Sequence, residues 1–496
     1  MSLSMSLSFN PDTVVLPTGH HIGGRFVELP GETIPVLRPS DERPMGHVTD
    51  GGAAAVELAV TAARDALART GWAKMAPRDR AKVLYAFAAR IEEKAEYLGR
   101  LEAMGSSRLI SGTVTGDAVR TAGVVRYFAE YCDKLEGIVT ATKADTLSYT
   151  RREPYGIAGA IVPWNFPMIT AAWKFAPALA AGNAVVMKTS ELTPHSLLAL
   201  AECAAEAGLP GGLFNVVNGW GHTTGAAIVA HPAIGIVSFT GSTKTGAAIM
   251  ALAAHSGIKP VVLELGGKSP QIVTNNPGEI EAVATRVANA FMANAGQVCT
   301  LASRLIVQRG VADELLDRVL ARTKAIKAGP TWDETTTFPP VISKTQFDRI
   351  DGMVQQSVAQ GAGVLTGAAR LDGPNEGHFY APTILTDVAQ DNIGYTDEFF
   401  GPVMSVTRFD DIEEAITQAQ HPTYGLSASV HTQDLRLAMK VADTVEAGMV
   451  WVNQHGRDPE FTYAAGGWKG SGFGKDMGRA GIEEFTRQKA VWINYL

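Results

Sequence analysis

The sequence predicts an α/β protein with more than one domain. Its 496 residues are too many for a single ordinary hydrophobic core, so two or three domains are expected. Hydrophobic residues make up 46% of the chain and charged residues 19%, as in folded enzymes. The first third shows helical periodicity, and beyond Leu147 short apolar runs alternate with helices. That alternation indicates a parallel sheet built from βαβ units.

The helical part of this prediction depends on three amphipathic stretches. Each repeats apolar residues at helical spacing and keeps its charges on one face, over residues 52–70, 77–103 and 114–135. The first third of the chain is therefore predicted to be largely helical.

The strand prediction depends on short β-branched or apolar runs that fall into two groups. The first group lies at 157–162, 184–188, 214–217, 236–240 and 261–264. The same alternation resumes beyond Cys299, with runs at 304–308, 403–408 and 448–453. We therefore expect two α/β domains.

Two segments fit neither domain, the polar and β-prone residues 140–152 and the apolar tail 490–496. Both are expected to be strands that pair outside the main sheets. An apolar strand at a chain end exposes its edge unless something covers it. Either a partner subunit or the protein's own core would cover the edge of this strand.

Composition excludes several classes of function. The net charge is −7 with acidic and basic residues interspersed, so no cationic stripe is available for nucleic acid. The most apolar long stretch, 156–187, contains Pro163 and Lys174, which argues for buried core and against a membrane span. The N-terminal MSLSMSLSFN lacks the basic start and apolar run of a signal peptide.

Cysteine usage points to a reducing, cytoplasmic compartment. The three cysteines, Cys132, Cys203 and Cys299, have neither metal-ligand spacing nor a disulfide framework. We therefore expect no metal site.

Three residues are candidates for catalysis. Cys299 lies in NAGQVCTLAS, where Gly296 and other small residues allow close approach to a nucleophile, although a lone cysteine is more often inert. Glu264 ends an apolar run before two glycines, where burial would suit a general base or a salt bridge equally. Asn165, between Pro163 and Pro167 in VPWNFP, is held in a turn as an oxyanion donor or a backbone cap.

Dinucleotide binding has only weak signals in the residues themselves. The GxGxxG fingerprint is absent. FTGSTKTG follows the run 236–240 and has the glycines and hydroxyls of a pyrophosphate site at a helix N-terminus. Lys188 and Glu191, in MKTSELTP, stand at another strand-to-helix junction, where Glu191 would accept from ribose hydroxyls or form a salt bridge.

Taken together, PWNFP, KTSE, FTGST, ELGGKS, GQVCT and EFFGPV occur in this order over about 240 residues and resemble the aldehyde dehydrogenase superfamily. The resemblance implies a Rossmann-type cofactor domain, a second α/β catalytic domain and a small β oligomerisation extension. It implies a discontinuous dinucleotide-binding domain at 1–139 and 153–263 and a catalytic domain at 264–475. Residues 140–152 and 476–496 are then the bridging extension of a homodimer or homotetramer.

The resemblance also assigns roles to individual residues. Cys299 resembles the nucleophile, Glu264 the base that activates water, and Asn165 the oxyanion donor. Lys174 resembles a family lysine near the site and is expected among the catalytic residues. The residues that resemble cofactor contacts are Trp164, Lys188, Glu191, Gly221, Ser242, Gln346, Arg349, Glu398 and Phe400.

The implied reaction is oxidation of an aldehyde to a carboxylic acid through a thioester, with NAD as cofactor. Glu191 favours a free 2′-hydroxyl over a 2′-phosphate, but NADP remains possible. A non-catalytic binding or structural homologue is the remote alternative, against which the presence of all three catalytic candidates argues.

The substrate remains open in the sequence. Candidate lining residues by resemblance are Thr170, Trp173, Val298, Thr300 and the stretch 454–463. Trp173, Phe461 and Tyr463 suit an aromatic slot or a cation-π cage for a betaine or ω-amino aldehyde. Asp458 and Glu460 would assist such a positive charge or be solvated loop residues.

Overall fold

The computed structural model describes residues 6–371, 376–456 and 460–495. Its α-helices are Gly52–Thr70 (α1), Pro77–Glu93 (α2), Ala95–Gly105 (α3), Ile110–Gly112 (α4), Val119–Tyr131 (α5), Pro167–Ala180 (α6), His195–Glu206 (α7), Ala226–Ala230 (α8), Thr243–His255 (α9), Ile280–Met292 (α10), Arg309–Lys324 (α11), Lys344–Ala359 (α12), Ile393–Thr396 (α13), Ile412–Ala419 (α14), Leu435–Thr444 (α15) and Gly478–Glu484 (α16).

The strands are His20–Ile22 (β1), Arg25–Val27 (β2), Thr33–Leu37 (β3), Pro44–Thr49 (β4), Val139–Thr140 (β5), Thr146–Pro154 (β6), Ile157–Ile161 (β7), Ala184–Lys188 (β8), Phe214–Val217 (β9), Ile236–Thr240 (β10), Val261–Glu264 (β11), Pro270–Val273 (β12), Arg304–Gln308 (β13), Gly363–Thr366 (β14), Thr383–Thr386 (β15), Val403–Phe409 (β16), Tyr424–Gly425 (β17), Ser427–His431 (β18), Met449–Val452 (β19), Trp468–Lys469 (β20), Gly472–Phe473 (β21) and Thr486–Asn494 (β22).

The first large sheet has the order β2-β1-β9-β8-β7-β10-β11-β21. Its five central strands, β9 to β11 in that order, are parallel. Renumbered along the chain, their order is 3-2-1-4-5, which is the doubly wound arrangement of dinucleotide-binding folds. From β7 the chain adds β8 and β9 on one side of the sheet and then β10 and β11 on the other side. A crevice therefore opens between the ends of β7 and β10.

The second large sheet has the order β14-β15-β16-β13-β12-β18-β19. All of its strands are parallel to their neighbours except β14, which is antiparallel to β15. The fold is therefore the predicted α/β architecture with two large sheets.

A third sheet joins the two segments that fitted neither domain. Strand β22 pairs antiparallel with β6 along its whole length, from Thr486 opposite Pro154 to Asn494 opposite Thr146, and β5 pairs with the other edge of β6. The tail is thus a strand, as predicted. Trp492 and Ile493 near its end are 69% and 42% exposed.

Helix α6 crosses the core directly beneath the crevice. Pro167 begins it at a position where the missing N–H costs nothing, and nearly every side chain from Met168 to Ala180 is buried. The apolar stretch 156–187 is therefore core, as predicted. Within residues 6–371, 376–456 and 460–495, no helix is both long and apolar enough to cross a bilayer.

Most predicted element boundaries agree with the structure, and two helices differ. The predicted helix 77–103 is interrupted at Lys94, whose ψ of 13° departs from helical backbone, and continues as α3. The predicted helix 114–135 begins with a π-helical turn, Thr113–Ala118, before α5. Such turns add a residue to the helix and shift the faces that follow.

Candidate active site

A cavity of about 580 Å³ opens where the crevice between β7 and β10 faces the second sheet. Ligands of doubly wound folds bind at this position, beyond the carboxyl ends of the strands. The cavity is lined from the first sheet by Asn165, Ser242 and Glu264, and from the other side by Cys299 and Glu398. All three candidate catalytic side chains therefore face one space.

Cys299 follows α10 through a tight turn, Ala293–Gly296, in which Asn294 and Ala295 both have φ of 51°. Cys299 forms no disulfide bond and is partly exposed. Gly296 has φ of +74°, and a Cβ there would overlap the backbone of Gly401. The space that a side chain would occupy is thus filled by the neighbouring EFFGPV segment.

Asn165 is tied to this turn by its side chain. Its Nδ2 donates to the carbonyl oxygen of Gln297 at 2.9 Å, and the Asn294 side chain donates to the carbonyl oxygen of Asn165 at 3.2 Å. A primary amide has two N–H donors. One fixes the orientation of Asn165, and the other remains for an oxygen in the cavity.

Glu264 is the last residue of β11 and is 6% exposed. A carboxylate at the buried end of a strand, facing a cavity, is placed to accept a proton from a water molecule there.

Glu398 is held by the backbone that follows Glu264. The Gly267 N–H donates to its Oε1 at 3.0 Å, and a Cβ at Gly266 would overlap its carboxylate. Burial raises the pKa of Glu398 to about 7, although the Gly267 N–H and the charge of Arg349 oppose this shift. Only glycine at 266 lets the carboxylate lie this close to the strand end.

Gln346 and Arg349, which resemble cofactor contacts, support residues 398–400 in this structure. These three residues are called the EFF segment below. Gln346 Nε2 donates to the carbonyl oxygen of Phe400 at 2.8 Å, and Arg349 donates to those of Phe399 and Glu398 at 2.6 and 2.8 Å. Both side chains also line the cavity. Phe400 has φ of 53° and meets the ring of Trp164 edge-on at 5.3 Å.

The residues that resemble adenosine and pyrophosphate contacts lie at the ends of neighbouring strands. Lys188 ends β8 and its Nζ lies 2.9 Å from Glu191 Oε2. Gly221 follows β9 and is exposed. Ser242 caps α9 by accepting from the Thr245 N–H at 3.2 Å. Because β9, β8, β7 and β10 are adjacent, these groups form one edge that fits an extended dinucleotide.

Lys174 lies beneath the cavity and is not one of its lining residues. It is fully buried, and its ammonium lies 2.8 Å from both carboxylate oxygens of Asp476. The pair ties α6 to the segment that carries Met477, a lining residue. In this structure Lys174 therefore holds the cavity wall together.

A buried charged cluster that the sequence did not reveal supports the turn before α6. Arg108 makes two hydrogen bonds to Asp117, at 2.7 and 2.9 Å, and stacks over Phe166 at 4.3 Å. Glu102 accepts from the Met168 N–H at 3.2 Å, and burial raises the pKa of Glu102 to about 8. In the sequence, Glu102, Arg108 and Asp117 are far from the six motifs.

His455 is a second support; it belongs to the stretch 454–463 that was expected to line the substrate site, but it is not among the lining residues. Its Nε2 donates to the carbonyl oxygen of Thr300 at 2.7 Å, and the Ser429 hydroxyl lies 2.9 Å from its Nδ1. Burial lowers the pKa of His455 to about 4, so the ring is neutral near pH 7. It fixes the backbone directly after Cys299.

The part of the cavity opposite the strand ends has aromatic walls. Trp173, Phe461 and Tyr463 line it, as do the predicted Thr170, Val298 and Thr300. Arg120 and Val124 of α5 also line it and were not predicted. Glu460 is exposed and is not among the lining residues, and Asp458 lies outside the described residues.

Comparisons with known proteins show the family of the chain. The sequence model of the aldehyde dehydrogenase family matches residues 26–491. An aldehyde dehydrogenase of Aspergillus niger is 40% identical over 476 residues, which cover 96% of this chain and 95% of the relative.

Solved structures are similar over the whole chain. A crystal structure of indole-3-acetaldehyde dehydrogenase in complex with NAD⁺ matches with a TM-score of 0.95 and 36% identity, over 98% of each chain. The γ-glutamyl-γ-aminobutyraldehyde dehydrogenase of Burkholderia cenocepacia matches with a TM-score of 0.94 and 36% identity, also over 98% of each chain.

Proposed function

The chain belongs to the aldehyde dehydrogenase family, and we propose that it oxidises its aldehyde to the carboxylic acid through a thioester on Cys299. The observation that carries the proposal is that the side chains of Cys299, Glu264 and Asn165 line one cavity. A nucleophile, a general base and an oxyanion donor are the groups that this reaction needs.

In the first half-reaction the Cys299 thiolate attacks the aldehyde carbon. The carbonyl oxygen becomes an oxyanion that accepts a hydrogen bond from the remaining N–H of the Asn165 amide. Because Gln297 already holds this amide, the donor needs no reorganisation as charge develops. Loss of hydride then leaves an acyl group on the sulfur.

In the second half-reaction Glu264 accepts a proton from water. The resulting hydroxide attacks the thioester carbon, the carbon–sulfur bond breaks, and the acid leaves with Cys299 restored as the thiolate. The carboxylate of Glu264 therefore directs the acyl group to water.

The residues along the strand ends suit NAD. Ser242 would hold the pyrophosphate at the start of α9, Glu191 a ribose hydroxyl, and Glu398 with Phe400 the nicotinamide end. The bound nicotinamide supplies the hydride acceptor. Since the Glu191 carboxylate repels a 2′-phosphate, kcat/KM is expected to be higher with NAD than with NADP. A higher value with NADP would contradict this preference.

We further propose a cytoplasmic homodimer or homotetramer. The exposed side chains Leu147, Trp492 and Ile493 on the sheet of β5, β6 and β22 support an interface there. The absence of a disulfide bond among the three cysteines, all of which lie in the described part of the chain, supports a reducing compartment. The division into a cofactor domain at 1–139 and 153–263, a catalytic domain at 264–475 and an extension at 140–152 and 476–496 is part of the same proposal.

The decisive experiment separates the two half-reactions. In rapid mixing with NAD and an aldehyde, Glu264→Gln is expected to give a first-turnover burst of reduced cofactor and then stall with a mass-detectable acyl adduct. Cys299→Ala is expected to give neither burst nor adduct, and the matched Cys203→Ala, a buried cysteine of α7, to keep both. Normal steady-state turnover by either of the first two variants would overturn the roles.

A further inference from the structure

The substrate half of the cavity contains an arginine that the proposed chemistry does not use. Arg120 lies in the first turn of α5 and lines the cavity. Among the described residues it has no hydrogen-bond or ion-pair partner. A guanidinium is a cation with five N–H donors in a planar fork, so this side chain can bind an anionic ligand.

The position of Arg120 follows from the helix. Arg120, Gly123, Val124 and Tyr127 recur at the spacing of one helical face. Phe461 packs against this face, because a Cβ at Gly123 would lie 2.9 Å from its ring and Tyr127 lies 6.0 Å from it between ring centroids. Arg120 therefore stands one turn from the aromatic wall, on the same side of the helix.

The other charges of the lining already have partners or belong to the reaction. Arg108 is neutralised by Asp117 through two hydrogen bonds. Arg349 donates to backbone carbonyls of the EFF segment, beside Glu398. Within the described part of the lining, Arg120 is therefore the cation that has no hydrogen-bond or ion-pair partner.

From these observations we infer that the substrate is an aldehyde with a carboxylate at its far end, which Arg120 binds. The inference depends on the proposed function, since it assigns the far end of the aldehyde that Cys299 attacks. A guanidinium matches a carboxylate with two parallel hydrogen bonds, so the exposed Arg120 side chain can hold one in a defined orientation at the cavity. The same charge repels an ammonium group, so an ω-amino aldehyde is disfavoured.

The test compares three straight-chain aldehydes of equal length that end in a carboxylate, a methyl group or an ammonium group. The wild type is expected to have its highest kcat/KM with NAD for the carboxylate. Arg120→Met is expected to raise KM for that substrate about 10- to 100-fold with little change in kcat. Neither parameter should change for the methyl-ended aldehyde, and Arg120→Lys should restore part of the affinity.

The control variant is Arg126→Met on the same helix. Arg126 pairs with Glu92 at the surface, at 2.8 and 2.9 Å, and is not among the lining residues, so its loss should change no kinetic parameter. An equal rise in KM for the methyl-ended aldehyde, no rise for the carboxylate, or a wild-type preference for the ammonium would overturn the inference. If the wild type oxidised none of the three aldehydes, the proposed function would be overturned instead.

Discussion

The two halves of the cavity are built from different parts of the chain. Around the proposed nicotinamide site, the contacts are made by backbone. Gly266 lies against the Glu398 carboxylate, and Gly296 lies against the backbone of Gly401. The half that faces the aldehyde is built from side chains, with Phe461 packed on α5 and Arg120 one turn away. Backbone contacts tolerate few substitutions, whereas side-chain walls change with each residue. We therefore expect the first half to fix the reaction and the second half to select the substrate.

The largest effect is expected at Asn165, where the halves meet. Asn165→Ala removes a preorganised oxyanion donor and should lower kcat about 10²- to 10³-fold. Steady-state assays should give the same factor for a short and for a bulky aldehyde, because the donor contacts only the carbonyl oxygen. Asn289→Ala, at an exposed position of α10, is the control. A factor that depends on the aldehyde would place Asn165 in the substrate half.

A smaller effect is expected from Gly266→Ala in the cofactor half. The added methyl group overlaps the Glu398 carboxylate, and displacement of such a group by about 1 Å typically costs about 10²-fold. kcat/KM for NAD should fall by this factor whichever aldehyde is used. Gly352→Ala in α12, where a Cβ meets no atom within 4 Å, should have no effect. A fall confined to one aldehyde would contradict the division into halves.

A still smaller and selective effect is expected from Phe461→Ala in the substrate half. Loss of the aromatic wall should lower kcat/KM roughly tenfold for a bulky aldehyde, because apolar pockets discriminate weakly. A short aldehyde that does not reach the ring and the KM for NAD should be unaffected. An equal loss for both aldehydes would indicate that Phe461 supports the catalytic turn.

The last prediction concerns stability and is expected to affect turnover least. It is the pH dependence of the unfolding free energy that His455 causes. Its pKa is lowered to about 4 in the folded state, whereas an unfolded histidine titrates near 6.5. Protonation therefore favours the unfolded chain, and stability is lost as the pH falls from about 6.5 towards 4. Between pH 7 and pH 5 the wild type should lose about 2 kcal/mol of unfolding free energy from this residue.

Chemical denaturation of the wild type and of His455→Phe at both pH values measures this contribution. The variant lacks the titrating ring, so its stability should fall less over the same range. Parallel pH dependence of the two proteins would show that the ring is already protonated, or exposed, in the folded state.

Sequence reasoning recovered the part of the molecule that depends on local pattern. The bounds 184–188, 214–217, 236–240 and 261–264 agree with β8 to β11, because buried parallel strands are continuous apolar runs. The catalytic candidates were proposed from local signals, namely the small residues around Cys299, the strand end at Glu264 and the two prolines around Asn165, and all three line one cavity. Even without the GxGxxG fingerprint, the 3-2-1-4-5 strand order is present.

The remaining features depend on contacts between distant parts of the chain. In the sequence, Arg120 is one of several charges on an amphipathic helix. Its place at the cavity becomes evident only from the packing of Phe461 on the same helical face. His455 and Thr300 are 155 residues apart, and Arg108 with Asp117 matters only because Phe166 lies below the guanidinium. No single-sequence pattern signals such pairs, since the partners are chosen by tertiary packing.

The backbone contact between Gly296 and Gly401 has a consequence for enzyme engineering. A side chain at position 296 would push the thiol-bearing turn away from the EFF segment, and a side chain at position 401 would overlap Ile350. Randomised libraries that aim at new aldehydes should leave both glycines unchanged and vary positions 120, 124 and 461 instead. Those positions alter the shape and charge of one wall while the oxidation machinery stays as it is.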